Sequence, residues 1–251
     1  MEPKYSRNNL SMTPDNLAVI KRTRLLIGGS NLGMTIAKQA LQNGFENITI
    51  VDGIETADEP ENDHFREELL SPEQVKEHIA QLQEVNPEAM LTWHRGTMEA
   101  SLFSEVLAGQ SLAVNAFDDA SNVPMQFDRA CNDAGIPVIH PYNLGWGSLV
   151  VVVSPESLSL ETIVKEGELL NASKVVEYVT SYMKFWGKPQ DWIEEAAREY
   201  RAGTDISKAQ MLRASQLVAK ISTHIAIDIA TGNNVKQFPE FYLTKLEEDL
   251  H

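Results

Sequence analysis

The stretch LLIGGSNLG at residues 25–33 decides the fold. An apolar run of strand length, residues 24–27, leads straight into glycines, and residues 34–42 then carry apolar side chains at helical spacing with Gly44 as a stop. Strand, glycine loop and helix in that order open a nucleotide-binding unit, because glycines let the amides at the helix start approach a phosphate. The pattern G-x-G-x-x-G is altered here: Ser30 replaces the middle glycine and Asn31 follows it. A side chain now takes up space, but serine and asparagine can donate hydrogen bonds to phosphate. Gly28, Ser30, Asn31 and Gly33 are therefore candidate phosphate-cradling residues, with a purely structural turn as the alternative.

Outward from the loop, NITIVD at residues 47–52 reads as a second strand ending in Asp52. An acid at that point, about two dozen positions after the first glycine, suits the ribose hydroxyls of a dinucleotide or nucleotide. Residues 55–68 are strongly acidic and without apolar period, hence a loop, and a helix is expected over 72–85. Further strands are expected at 91–94 and 112–117, the latter ending in Asp118 and Asp119, and helices at 98–107 and 125–133. IPVIHPYNLGWGSLVVVV, residues 136–153, supplies two more strands around a glycine turn. Helices are expected at 173–186, 190–200 and 207–231, followed by a short strand and a helical turn. Alternation over the first half predicts an α/β, Rossmann-like, doubly wound and mainly parallel sheet. Residues 1–154 would form the nucleotide-binding domain with an N-terminal arm, and 155–251 a helical C-terminal extension of the same folded unit.

The 251 residues, 43% of them hydrophobic, suffice for one sizeable core. Acidic residues outnumber basic ones 36 to 21, and the net charge of −15 argues against nucleic acid or an anionic membrane as partner. No signal-like N-terminus or bilayer-length apolar run is present, so a cytoplasmic protein is expected. The single cysteine, Cys131, excludes internal disulfides and C-x-x-C clamps, so no zinc is expected; its helical spacing suits core packing.

The order of pieces resembles the ThiF/MoeB/HesA family, bacterial relatives of ubiquitin-activating enzymes. The resemblance is carried by YSRN at 5–8, the strand and glycine loop at 24–33, NITIVDG at 47–53, VNPEA at 85–89, and DD and NDAGIPVI between 118 and 139. It implies an adenylyltransferase: the C-terminal carboxylate of a small ubiquitin-like or sulfur-carrier protein attacks the α-phosphate of ATP, and pyrophosphate leaves. It implies ATP and Mg²⁺ as cofactors and a homodimer. Asp52 matches the ribose-binding acid and Asp119 the acid that helps hold magnesium, with Asp118 as its neighbour in register. Two adjacent acids there could equally cap the following helix. Arg66 matches the phosphate-binding arginine, although Glu67 replaces the glutamine that follows it in the family. The family's lysine falls near Gln74, so Lys76 is displaced by two positions, about 200° of helix rotation. Arg7 matches an arginine that reaches the partner subunit's triphosphate in dimeric relatives.

Three readings follow. The first is an active adenylyltransferase. The second is a degenerate relative that binds a nucleotide or a protein partner without catalysis, motivated by Ser30, Asn31, the altered arginine motif and the displaced lysine. The third is an NAD-dependent oxidoreductase, since the loop and Asp52 also suit that cofactor; no hydride-transfer site accompanies them. The six histidines form no metal-binding motif.

Overall fold

A strand lying mid-sheet between two helical layers must be apolar on both faces, and β1 (Arg24–Gly28) is buried from Leu25 onward. It pairs in parallel with β2 (Asn47–Val51) on one side and β4 (Leu112–Asn115) on the other. β3 (Met90–His94) extends the sheet beyond β2 and β5 (Val138–Asn143) beyond β4, again in parallel. The chain then reverses, so that β6 (Gly147–Val153) runs antiparallel to β5 and β7 (Tyr242–Lys245) antiparallel to β6. The resulting order is β3-β2-β1-β4-β5-β6-β7. The computed structural model describes residues 12–52, 70–95, 100–117, 123–145, 147–165, 168, 170–201 and 212–245.

Eight α-helices occur among these residues: α1 (Pro14–Arg22), α2 (Asn31–Gln42), α3 (Pro72–Val85), α4 (Ala100–Leu107), α5 (Val123–Asp133), α6 (Ala172–Phe185), α7 (Asp191–Arg201) and α8 (Leu212–Ala230). None is long and apolar enough to cross a membrane. Residue alternation sorts the core. Leu25, Ile27, Leu112 and Val114 join Ile36, Ala40 and Leu41 of α2 and Val218, Ala219, Ile225 and Ala226 of α8 in one cluster. Leu26 and Ala113 face the opposite way, toward Phe103 and Leu107 of α4 and Phe127 and Cys131 of α5. A third cluster sets Leu149, Val151 and Val153 of β6 against α6 and α7. Both faces of β6 are thus covered, which explains its unbroken apolar run.

Cys131 lies fully buried, and burial together with the nearby Asp128 pushes its thiol far up. That environment suits packing and suppresses the thiolate. The start of α2 departs from the sequence expectation: the helix begins at Asn31, three residues before Met34. Gly33 therefore belongs to its first turn. A Cβ there would lie 2.8 Å from Ile27 Cγ2, so the glycine serves close helix–strand approach. The expected helical turn at the C-terminus falls outside the described residues.

The last helix packs against α2, β5 and β6, and β7 completes the sheet edge, so α8 and β7 share the main core with the first half of the chain. Ile225→Ala removes a side chain that is 1% exposed. It should destabilise the whole chain by about 2–5 kcal/mol in a single chemical-unfolding transition. An early transition releasing α8 while the sheet stays intact would contradict one folded unit.

Candidate functional site at the strand-order switch

The strand order reverses between β1 and β4, and Gly28 stands opposite Asn115 in the parallel register there. In open α/β sheets such a reversal leaves a crevice at the carboxyl ends of the strands. The backbone is drawn tight around it. Gly29 N–H donates to the Val51 carbonyl and Ala116 N–H to the Gly28 carbonyl, each at 2.9 Å. Gly29 has φ +86°, and a Cβ on it would lie 2.4 Å from the Ala116 carbonyl oxygen. A Cβ on Gly28 would meet the Phe117 ring at 2.3 Å. Gly29 is thus required by its backbone, whereas a side chain at Gly28 would require the Phe117 ring to move.

Ser30 precedes α2 with φ −93° and ψ −28°, and its side chain caps no amide. The first helical bond runs from Met34 N–H to the Ser30 carbonyl at 3.0 Å. The amides of Asn31, Leu32 and Gly33 come before it and point out of the helix end, the arrangement that favours an anion. Gly28, Ser30, Asn31 and Gly33 are therefore brought together at the crevice.

Asp52 follows β2 directly, its N–H donating to the His94 carbonyl at 3.1 Å. The residue is 6% exposed, and neither carboxylate oxygen has a hydrogen-bond partner. Burial raises its pKa, opposed in turn by the nearby Trp93 indole, the Ser30 hydroxyl, Arg95 and His78. These groups stand close enough to favour the carboxylate, yet none reaches hydrogen-bond geometry with it. Trp93 Nε1 and His78 Nδ1 are likewise buried without partners, and the two rings lie 5.8 Å apart. A buried acid without donors is costly. Donors from a ligand would remove that cost.

The rotation of α3 settles the position of Lys76. Ser71 and Gln74 form a capping box: Gln74 N–H donates to Ser71 Oγ at 3.2 Å, and Ser71 N–H to Gln74 Oε1 at 2.7 Å. Gln74 is thus engaged in starting the helix. One turn on, at the same face, His78 meets Trp93. Lys76 lies about 200° around from His78 and is exposed. It is not brought to the crevice with the other residues. Arg95 donates from Nε to the Leu70 carbonyl, tying the end of β3 to the start of α3. Arg7, Arg66, Asp118 and Asp119 lie outside the described residues, and among the described ones no group of three His, Cys, Asp or Glu could hold a metal ion.

Sequence reading missed Trp93, His78 and Arg95, since their convergence depends on the β2–β3 register and the rotation of α3. The four-residue step from Gln74 to His78 was the available signal. It also missed a buried polar group beside the crevice. Asn115 Nδ2 donates to the Pro124 carbonyl at 2.8 Å and to Asp128 Oδ1 at 2.7 Å, which ties the end of β4 to α5. His140 Nε2 lies 3.3 Å from Asp128 Oδ2. Burial pushes Asp128 up to about 8 and His140 down to about 3, so a neutral acid faces a neutral imidazole. At the same edge Asn143 donates to Ser215 Oγ at 2.8 Å and accepts from Gly145 N–H at 2.9 Å, fastening the β5–β6 turn to α8.

No protein-family model matches the sequence. SUMO-activating enzyme subunit 2 of Dictyostelium discoideum is 26% identical over 158 residues, 61% of this chain; the match spans 24% of that protein's length. Among solved structures, MccB of E. coli shares the fold at TM-score 0.58 and 12% identity, over 97% of this chain and 69% of that one. PaaA does so at TM-score 0.58 and 13% identity, over 97% and 82%. MccB has been solved with ATP, and with AMPCPP and MccA together. At these identities the structural likeness establishes the Rossmann-like α/β fold.

The Asp128–His140 pair has a pH signature. The pKa of Asp128 rises from 3.8 to about 8 on folding, so the stability it contributes is full at low pH and lost as pH rises toward 8. That of His140 falls from 6.5 to about 3, so its contribution is full above 6.5 and lost as pH falls. The two slopes oppose one another between pH 3.8 and 6.5, leaving a decline between 6.5 and 8. Asp128→Asn keeps an acceptor for Asn115 and should flatten that decline, a slope change of up to about 1.4 kcal/mol per pH unit. Urea unfolding across this window measures it; an unchanged slope would mean that Asp128 is ionised in the folded protein.

Proposed function

We propose that the chain is an ATP-dependent adenylyltransferase that activates the C-terminal carboxylate of a peptide or small ubiquitin-like or sulfur-carrier protein. One observation carries the reading: a buried carboxylate with two unpartnered oxygens, Asp52, beside the open N-terminus of α2 at the strand-order switch. The acid supplies two acceptors for ribose hydroxyls, and the Asn31–Gly33 amides supply donors for phosphate. The match to a SUMO-activating enzyme subunit and the solved complexes of MccB with ATP and with AMPCPP and MccA point the same way.

In the reaction a carboxylate oxygen of the peptide attacks the α-phosphorus, the bond to the bridging oxygen breaks, and pyrophosphate leaves with the electron pair. The protein's task is to hold both anions in line and offset their charge. Arg66 would bind phosphate, and Asp119, with Asp118 beside it, would hold Mg²⁺, which would supply positive charge to offset that of the phosphates. Arg7 of a second copy would complete the site in a homodimer. Asn115, bonded to Pro124 and Asp128, joins the end of β4 to α5. The carrier's tail would enter between Asp119 and the β5–β6 turn.

A second reading, a nucleotide-binding relative without catalysis, is favoured by one observation: Lys76 is exposed, about 200° around α3 from His78. Calorimetry with ATP and Mg²⁺ should show binding by wild type, weakened at least about tenfold in Asp52→Ala, which deletes both acceptors. ATP–pyrophosphate exchange dependent on a peptide with a free C-terminus should accompany it. Binding without exchange would select the second reading, and no binding would overturn both nucleotide readings.

A further inference from the structure

The buried groups around Asp52 exceed what a lone ribose-binding acid requires. Trp93 Nε1 is a donor only, buried and without a partner, and it stands close to the carboxylate. Its position is fixed by backbone register: Trp93 pairs with Ile50 in the β2–β3 ladder, and the ladder is prolonged by Asp52 N–H donating to the His94 carbonyl. His78 on α3 packs against the indole and limits its rotation. The Ser30 hydroxyl, at the altered place in the glycine loop, stands near the same carboxylate and favours its charged form. Two acceptors with a fixed donor beside them match a vicinal diol, whose two hydroxyls give two protons and keep lone pairs to accept one.

We propose that Trp93 is a specificity-determining residue, its indole N–H donating to one hydroxyl of a ribose diol whose protons are taken by Asp52. The inference deepens the nucleotide reading and rests on it. The pocket would then read the diol itself and reject a deoxyribonucleotide. A missing hydroxyl leaves one buried carboxylate oxygen unpaired, and, where it is the one Trp93 serves, the indole N–H as well. Ser30 gains a reason to replace glycine, since its hydroxyl supplements the polar lining of that pocket.

Equilibrium binding of ATP, 2′-deoxyATP and 3′-deoxyATP to wild type and to Trp93→Phe tests this. Wild type should bind ATP at least about tenfold tighter than either deoxy analogue. Trp93→Phe keeps an aromatic ring in place; it should weaken ATP about five- to tenfold while leaving unchanged the analogue that lacks the hydroxyl Trp93 serves, since that interaction is already absent. An equal loss for all three nucleotides would overturn the proposal, because a packing role moves all of them together. Equal binding of the three by wild type would overturn it without any variant. If wild type binds ATP and only these ratios fail, the nucleotide reading stands; if no nucleotide binds, both fall.

Discussion

The turn between β1 and α2 can exist only because the backbone comes within contact distance of the end of β4. Gly28 lies under the Phe117 ring and Gly29 against the Ala116 carbonyl, where any Cβ would collide. That approach fixes where α2 starts, and so where its free amides point. The parallel register carries the constraint sideways: Gly28 pairs with Val51 on one side and Asn115 on the other. Asp52 thereby comes to lie beside the loop, and Asn115 across from it. The crevice is a consequence of sheet geometry, and its chemistry is what the strand ends happen to carry.

What they carry is an electrostatic imbalance. Buried acids in folded proteins are generally bonded or neutral, and the two near this crevice differ. Asp128 is partnered by Asn115 and faces His140, and burial holds it neutral. Asp52 is likewise buried but has neighbours that favour its charge without bonding it. The first acid closes a local network. The second keeps two buried oxygens without hydrogen-bond partners, a cost that donors from a ligand would remove.

The fold was legible because apolar runs and their stops are local. Helix α3 matches its expected span, 72–85, since Ser71, Pro72 and Gln74 write its start in the sequence. The start of α2 was harder to read: Ser30, Asn31 and Gly33 have poor helix propensity, and packing of Gly33 on Ile27 overrides it. Asp52 could be found from its place after a strand. Trp93 and His78 could not, because a strand register and a helix rotation bring them together. Lys76 shows the same limit, two residues from a face that touches the site. The Asn115–Asp128–His140 group joins β4, α5 and β5, and nothing in their spacing announces it.

The most direct measurement is a crystal structure of the protein with a non-hydrolysable ATP analogue. Both ribose hydroxyls should lie within hydrogen-bond distance of Asp52, with phosphate oxygens on the amides of Asn31–Gly33. An analogue bound elsewhere, with the Asp52 oxygens still unbonded, would contradict the account.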